Sequence, residues 1–268
     1  MNEALKRVVR SIVPTRILEP VIGRYFRVRW SGDFGAWAEA RAASRGYEAD
    51  GILERVVAAT RRVRDGEAAY ERDGVTFAQA SPDRLLIEML RRASKRQGGP
   101  VGVLDFGGSL GSVYWQNRQE WGAGTVRRWG VVEQAQFVKV GRREFESAQL
   151  RFFETVEAAV AAESPEVLLL SGVLQYLEAP HAQLRELLKR RFAAVAVMRT
   201  GFVQRPTDRL AVQQVPRSIY AGSYPCWFFD RKRLMAHFTD YELVAEADAD
   251  EGRCEGVEFK HLLFELVP

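Results

Sequence analysis

A short apolar run that leads directly into closely spaced glycines is the feature that most constrains this 268-residue chain. Residues 101–104 are typical of a buried parallel strand, and an acid, Asp105, follows them. Gly107, Gly108 and Gly111 come within the next six residues. Glycine is needed where the backbone turns sharply or approaches a ligand, and open α/β sheets bind nucleotides at such turns. The segment therefore predicts a site for a nucleotide-type cofactor, with a plain glycine-rich turn as the alternative.

The spacing of these glycines separates two classes of cofactor. Dinucleotide-binding folds use G-x-G-x-x-G, and no reading frame through this segment has that pattern, which disfavours a nicotinamide-dependent oxidoreductase. The pattern present is D-x-G-x-x-x-G. It resembles the first motif of class I S-adenosylmethionine (AdoMet) methyltransferases, usually D-x-G-x-G-x-G, with Ser109 at the middle glycine. The resemblance implies AdoMet as the cofactor, bound by Asp105, Gly107, Gly108, Ser109 and Gly111.

A second strand supplies an acid at the distance expected for ribose binding. Residues 129–132 are followed by Glu133, which stands 22 residues after Gly111. An acid about 20 residues past such a loop, at the end of the second strand, accepts hydrogen bonds from ribose hydroxyls. Gln134 is predicted to reach the ribose or the adenine edge. The alternative for Glu133 is a solvated surface charge, since Glu is mostly exposed.

Further apolar runs complete a predicted sheet. They are 150–153, followed by Glu154; 167–170, followed by Ser171 and Gly172; 192–197, followed by Met198 and Arg199; and 241–247 and 261–267, after a helix at 233–238. Five parallel strands and a final antiparallel pair predict an α/β fold, a Rossmann-like class I methyltransferase sheet. The resemblance to class I methyltransferases implies that Glu154 lies by the adenine and that Ser171 and Gly172 line the cofactor site.

A narrower resemblance rests on a set of short motifs spread over about residues 30 to 250. They are W-S-G-D-F at 30–34, Y-E-R-D at 70–73, D-F-G-G-S-L-G-S at 105–112, V-E-Q at 132–134, L-Q-Y-L at 174–177, R-T at 199–200 and Y-P-C-W at 224–227. Together they are similar to a methyltransferase family found in bacterial surface-polysaccharide and O-antigen gene clusters. The resemblance implies an AdoMet-dependent methyltransferase acting on a sugar, nucleotide sugar or glycan.

The chain divides into three predicted parts. A basic amphipathic arm spans 1–29, a helical cap spans 30–98, and an AdoMet-binding domain spans 99–268 with an insertion at 201–230. In the cap, 52–63 has helical periodicity, a loop carries Tyr70 and Arg72, and Ser81 is predicted to cap the next helix, with Pro82 in its first turn. The charged loop is predicted either to face the site, with Tyr70 and Arg72 on the substrate, or to form a structural ion-pair cluster.

Candidate catalytic residues lie after the fourth and fifth strands. Gln175 and Tyr176 are well placed but are poor bases, so orienting the cofactor or acceptor is the more natural role. His181 is the candidate base, with a surface histidine in the first turn of a helix as the favoured alternative. Arg199 is predicted to point to the acceptor side. His237 and His261 are predicted to be distal to the site.

The insertion at 201–230 combines aromatic residues with arginines. Its members are Arg205, Arg209, Arg217, Tyr220, Tyr224, Trp227, Phe228 and Phe229. Aromatic rings suit the face of a pyranose, and guanidinium groups bind anions in a planar fork. Tyr224 is predicted to contact the acceptor, whereas packing into the body of the protein is favoured for Trp227 and Phe228.

Charge and cysteine content restrict partners and compartment. Residues 1–30 hold seven Lys or Arg against two acids, whereas the whole chain carries only +4. The arm therefore predicts peripheral contact with an anionic membrane, the alternatives being a solvated arm or a helix packed on the body. No nucleic-acid motif is present, and two cysteines make neither a metal site nor a disulfide framework. The expected location is the cytoplasm, peripheral at the inner membrane.

A catalytically inactive protein of the same fold, binding a partner enzyme or glycan, is the second function considered.

Overall fold

The computed structural model describes residues 28–44, 49–216, 222–252 and 254–267. The helices are α1 (Trp37–Ala43), α2 (Ala49–Arg64), α3 (Arg84–Gln97), α4 (Ser112–Asn117), α5 (Ala135–Glu144), α6 (Val156–Glu163), α7 (Pro180–Leu188) and α8 (Arg231–Met235). The strands are β1 (Arg29–Ser31), β2 (Tyr70–Arg72), β3 (Val75–Phe77), β4 (Val101–Phe106), β5 (Val126–Val132), β6 (Leu150–Phe153), β7 (Val167–Ser171), β8 (Ala194–Val203), β9 (Arg209–Val215), β10 (Gly222–Asp230), β11 (Tyr241–Asp248) and β12 (Val257–Leu266). The basic arm lies outside the described residues except for positions 28 and 29, as do Arg217 and Tyr220.

One twisted sheet forms the body of the protein. Strands β6, β5, β4, β7 and β8 lie side by side in that order and run parallel. Strand β12 pairs antiparallel with the outer edge of β8, and β11 pairs with β12. This is the order of the Rossmann-like class I methyltransferase sheet, so the predicted fold class is confirmed.

Both faces of the sheet are buried, which explains why its strands are continuous apolar runs rather than alternating ones. In β7, Leu169 enters one hydrophobic cluster, whereas Leu168 and Leu170 enter another on the opposite face. The first cluster includes α2 and α3, and the second includes α7. Within the described ranges, no helix has the length and apolarity to cross a membrane.

The insertion extends the sheet beyond the end of β7. Strands β9 and β10 form an antiparallel hairpin, and β1 adds to β9. Strand β7 pairs with β8 up to Met198, whereas β10 pairs with β8 at Phe202 and Val203. The insertion therefore lies over the carboxyl end of β7. Phe228 is fully buried and the Trp227 indole donates to Leu177 O at 3.1 Å, which confirms the packing role favoured for both.

Several predicted boundaries were wrong. Strand β8 continues to Val203 instead of ending at residue 197, because a β-bulge with Arg199 at φ 55° absorbs an extra residue against β12. Helix α3 begins at Arg84, because Asp83, not Ser81, caps it by accepting from Leu86 N at 3.0 Å. Helix α8 is also displaced, since Asp230 caps it and it ends at Met235.

The cap is not wholly helical. The loop predicted around residues 70–73 is a β-hairpin, β2 and β3, whose turn places Asp73 at φ 52° and Gly74 at φ 75°. Two consecutive positive φ angles are those of a type I′ turn, for which Asp-Gly is a preferred sequence. The hairpin packs against α2 and against α4, the helix that follows the glycine loop.

Candidate active site

The predicted cofactor residues lie together at the carboxyl edge of the sheet. Asp105 of β4 pairs with Val131 of β5 on one side and with Leu169 of β7 on the other. Gly107 N donates to Val132 O at 2.9 Å, and Glu133 N donates to Phe153 O at 3.1 Å. The glycine loop and Glu133 therefore leave neighbouring strands at one level, as the sequence predicted.

Left-handed backbone and close contacts shape the glycine loop. Gly107, Ser109 and Gly111 have φ angles of 73°, 56° and 84°. A side chain at Gly107 would overlap Val173 Cγ2, and one at Gly108 would overlap the Asp105 carboxyl group. Ser109 takes a conformation that costs a non-glycine residue free energy, and such strain is concentrated at functional sites.

Asp105 is buried under this loop with only one oxygen satisfied. Its Oδ2 accepts from the Trp129 indole N–H at 3.0 Å, whereas Oδ1 is buried and has no hydrogen-bond partner. Burial raises the pKa of Asp105 to about 7, and the nearby Glu133 charge adds to the rise. Buried carboxyl oxygens normally have partners, so Oδ1 is suited to a donor group of a ligand.

Glu133 links the second strand to the loop. Its Oε2 accepts from Gln134 N at 2.5 Å, and the Ser109 amide also hydrogen-bonds to its carboxyl group. Burial raises the pKa of Glu133, and these two amides oppose the rise. Gln134 is exposed at the start of α5, and Glu154 is exposed one residue past β6.

These residues fit AdoMet on structural grounds. AdoMet has a ribose diol, which suits the Glu133 carboxylate, and an ammonium group, which suits the unsatisfied Asp105 oxygen. Gly108 has no side chain to cover the Asp105 carboxyl group, since a Cβ there would overlap Oδ2 and would lie 2.8 Å from Oδ1. Among the described residues, no group of three or more His, Cys, Asp or Glu side chains is arranged to hold a metal ion.

Arg199 lies at the end of β7, where the sequence predicted the acceptor, but its guanidinium is occupied. A Cβ added at Gly172 would stand 3.6 Å from Arg199 Cζ, which places the guanidinium at the end of β7. Arg199 Nε and Nη2 donate to Glu251 at 2.6 and 2.9 Å, and Nη2 lies 3.4 Å from Asp73 Oδ2. Burial alone would lower the pKa of Arg199, but the Asp73 and Glu251 carboxylates outweigh burial and raise it. The Arg199 guanidinium is therefore already bound by carboxylates of the protein itself.

Gln175 and Tyr176 follow β7 in a short 3-10 helix beside β10. Gln175 Nε2 donates to Arg199 O at 3.1 Å, and its buried Oε1 has no hydrogen-bond partner. The Tyr176 hydroxyl donates to Gln213 Oε1 at 2.9 Å. The Tyr176 ring meets the Tyr224 ring edge-on at 5.3 Å and is 38% exposed. The structure thus brings Gln175, Tyr176, Arg199 and Tyr224 together as the acceptor-side prediction required.

The two substrate residues predicted in the cap have other contacts. The Tyr70 ring stacks on Phe77 across the hairpin, with 4.5 Å between centroids. Arg72 lies 3.5 Å from Glu251, the same carboxylate that holds Arg199. The charged loop therefore contributes to an ion-pair cluster, one of the two alternatives left open by the sequence.

Two histidines have contacts that the sequence did not predict. Both ring nitrogens of His181 are engaged, Nδ1 at 2.8 Å from His237 Nε2 and Nε2 at 2.8 Å from Asp208 Oδ2, which argues against a role as base. His261, predicted to be distal, was misplaced: the β12 register puts Lys260 opposite Thr200 and Leu262 opposite Val197, so His261 lies across from the Arg199 bulge. Burial lowers the pKa of His261, and its Nδ1 is buried without a partner.

Four residues of the site were not named as individual candidates, although Glu71 and Asp73 belong to the Y-E-R-D motif of the charged loop. Asp73, Gln213 and Glu251 bind groups on the acceptor side, and Glu71 bonds to Ser112 at the end of the glycine loop. The Asp73-Gly74 pair was the available signal for the hairpin that carries two of them. Nothing local marks Glu251 or Gln213, which reach the site only through the tertiary fold.

Comparison with solved structures finds similar chains at low sequence identity. No protein-family model matches the chain, and no curated protein matches it. The N-terminal domain of EvdMO1, crystallised in the presence of SAH and D-fucose, is 18% identical with a TM-score of 0.48, over 83% of this chain and 100% of that chain. The Burkholderia thailandensis 1,6-didemethyltoxoflavin-N1-methyltransferase is 15% identical with a TM-score of 0.44, over 89% and 93%. The [4+2]-cyclase SpnF is 11% identical with a TM-score of 0.48, over 81% and 94%.

Proposed function

We propose that this protein binds AdoMet and transfers its methyl group to a sugar, nucleotide sugar or glycan in the synthesis of a surface polysaccharide. The observation that carries the cofactor assignment is the buried Asp105 carboxyl group, whose Oδ1 lacks a partner beneath the glycine loop. Glu133 stands at the same edge one strand away. The acceptor class comes from the motif resemblance.

The protein's own contribution to this reaction is mainly alignment. When bound, AdoMet supplies an electrophilic methyl group on a sulfonium. Asp105 would hold the ammonium group, the loop of residues 107–111 would lie under the amino-acid end, and Glu133 would bind the ribose. Gln134 would reach the ribose or the adenine edge, Glu154 would border the adenine, and Ser171 and Gly172 would line the cofactor site. Correct alignment of reactants is worth up to ~7–11 kcal/mol in intramolecular reactions.

The acceptor would bind between the end of β7 and the insertion. The exposed face of Tyr176 and the adjoining Tyr224 suit the apolar face of a sugar ring. Gln175 Oε1, which is buried without a partner, is suited to accept a hydrogen bond from an acceptor hydroxyl. Arg199 and Arg72 are positioning residues in this proposal, because Glu251 engages both of them.

Calorimetry with AdoMet and S-adenosylhomocysteine tests the cofactor assignment. Replacing Glu133 by Ala should weaken AdoMet binding by ~1.5–3 kcal/mol, the usual worth of a hydrogen bond to a charged group. The exposed Glu157 of α6 provides the control, since Glu157→Ala should leave the affinity unchanged. Absence of binding heat and of thermal stabilisation at millimolar ligand, with well-folded protein, would reject the proposal.

A catalytically inactive protein of this fold, binding a partner enzyme or glycan, is the second candidate. Two observations favour it: Ser109 occupies a left-handed position where the motif usually has glycine, and His181 is engaged with Asp208 and His237. Incubation with AdoMet and a sugar acceptor separates the candidates, because the inactive alternative predicts no methyl transfer even when AdoMet binds.

The basic arm, residues 1–29, is proposed to bring the protein to the cytoplasmic face of an anionic membrane. Each Lys or Arg near such a surface contributes about 1 kcal/mol, and the arm has seven. In co-sedimentation with anionic vesicles, the full chain should therefore pellet with the vesicles, whereas a chain lacking residues 1–27 should stay in the supernatant. Equal partitioning of the two forms would remove the membrane proposal.

A further inference from the structure

Outside the sheet, the hairpin of β2 and β3 places a buried carboxyl group against the glycine loop. Glu71 is only 1% exposed although it is on a three-residue strand of the cap. Its Oε1 accepts from the Ser112 hydroxyl, and its Oε2 accepts from Gly74 N at 3.1 Å. One carboxyl group thus joins the turn of the hairpin to the residue that follows Gly111.

Ser112 is connected directly to the loop that the cofactor would contact. It is the first residue of α4, and Gly111 before it has a φ of 84°. Gly111 N donates to Gly108 O at 2.9 Å, and Gly108 stands on the Asp105 carboxyl group. A shift of Ser112 would therefore move the tight turn of Gly108 and Gly111, and with it the backbone that lies against the Asp105 carboxyl group.

Packing alone does not account for an acid at this position. Burying a carboxyl group is costly unless it is well hydrogen-bonded, and an apolar residue would fill the same space without that cost. Burial raises the pKa of Glu71 to about 7, with the Asp73 charge adding to the rise and Ser112, Gly74 and Arg199 opposing it. A carboxyl group buried at this cost therefore indicates that the position of Ser112 has to be fixed.

We infer that Glu71 is a positioning residue for the cofactor, which fixes the glycine loop through Ser112 from outside the Rossmann-like domain. The inference rests on the proposed AdoMet binding. The same hairpin also reaches the proposed acceptor side, where Asp73 contacts Arg199 and Arg72 contacts Glu251. If the Glu71–Ser112 bond is only structural, removing it should lower the stability of the protein and leave the AdoMet affinity unchanged. If Glu71 positions the loop, removing the bond should also weaken AdoMet binding.

The test compares AdoMet dissociation constants and melting temperatures across a matched set of variants. Glu71→Met and Ser112→Ala should each raise the AdoMet Kd about tenfold, and the double variant should be no worse than Glu71→Met alone, since both remove the hydrogen bond between Glu71 and Ser112. Ser112→Thr, which restores the hydroxyl, should bind nearly as the wild type does. Should Glu71→Met fail to fold, the two Ser112 variants still decide the question.

Glu166 provides the control. Its Oε2 accepts from Gly102 N at 2.7 Å and from Arg127 at 2.5 Å, at the opposite end of β4. Glu166→Gln should lower the melting temperature without changing the AdoMet Kd. The inference is overturned if Glu71→Met and Ser112→Ala leave the Kd within twofold, or if Glu166→Gln raises it equally. A wild-type protein that does not bind AdoMet would reject the proposed function as well, which distinguishes the two failures.

Discussion

Two halves of the carboxyl edge differ in how their buried charges are compensated. The half with Asp105 and the glycine loop, where we propose that the cofactor binds, is called the cofactor half, and the half with Arg199 and Tyr176, where we propose that the acceptor binds, is called the acceptor half. On the cofactor side, Asp105 has one oxygen without a partner and a pKa raised to about 7. On the acceptor side, the Arg199 guanidinium is bound by Glu251 through two hydrogen bonds and approached by Asp73. An unsatisfied buried charge reduces stability and is retained where a ligand completes it, whereas a fully paired charge is part of the architecture. Substitutions in the two halves should therefore have opposite effects on folding.

The largest effect is expected at Arg199. Arg199→Ala should destabilise the protein by about 3 kcal/mol, because it leaves Glu251 partly buried without its main partner. Arg199→Lys should recover only part of this loss, since Lys lacks the planar fork that matches the two Glu251 oxygens. Urea unfolding of both variants measures the difference. The opposite pattern, unchanged stability with lost methyl transfer, would show that Arg199 serves the substrate and that the acceptor half is also a ligand site.

The next effect is a gain of stability on the cofactor side. The pKa of Asp105 is about 7 in the folded protein against an ordinary 3.8, so folding favours its protonated form. The stability associated with that proton is fully present below about pH 4 and is lost as the pH rises through 7. Asp105→Asn mimics the protonated form, keeps an oxygen for Trp129 and should stabilise the protein by about 2 kcal/mol at pH 8.

Thermal unfolding between pH 5 and pH 8 checks this prediction. The gain from Asp105→Asn should shrink toward pH 5, and the variant should bind AdoMet poorly at every pH. Asp65 is the control, because its carboxylate is exposed and its pKa is lowered by the hydrogen bond from Arg64, so Asp65→Asn should give no gain at pH 8. A destabilised Asp105→Asn protein would mean that the carboxylate is fully compensated after all.

The two halves of the edge also differ in how well their residues could be located from the sequence. The cofactor half is built from strand ends and a local loop, so short-range patterns at Asp105, the glycines and Glu133 locate it. The acceptor half is assembled from distant segments: Asp73 meets Arg199 across 126 positions, and Glu251 meets it across 52. No periodicity or spacing in one sequence encodes such pairs.

Two local errors had identifiable physical causes. The Asp73-Gly74 turn signal was present but was interpreted as a loop, because β2 and β3 have only three residues each. Strand β8 was predicted to end early, because Arg199 and Thr200 interrupt an apolar run that in fact continues through a bulge. His261 was misplaced for a related reason, since its position depends on the register of β12 against that bulge.

The smallest effect sharpens the comparison at Tyr176, where the acceptor half has its exposed aromatic face. Tyr176→Phe removes a hydroxyl that donates to Gln213 Oε1, but that oxygen also accepts from the Trp30 indole at 2.9 Å and stays satisfied. The loss of stability should therefore be about 0.5–1 kcal/mol, the net worth of one neutral hydrogen bond. Because the ring is unchanged, the KM for a sugar acceptor should also be unchanged, whereas Tyr176→Ala should raise it. Urea unfolding and acceptor titrations test both statements. A KM raised equally by Tyr176→Phe would mean that the hydroxyl, not the ring face, contacts the acceptor.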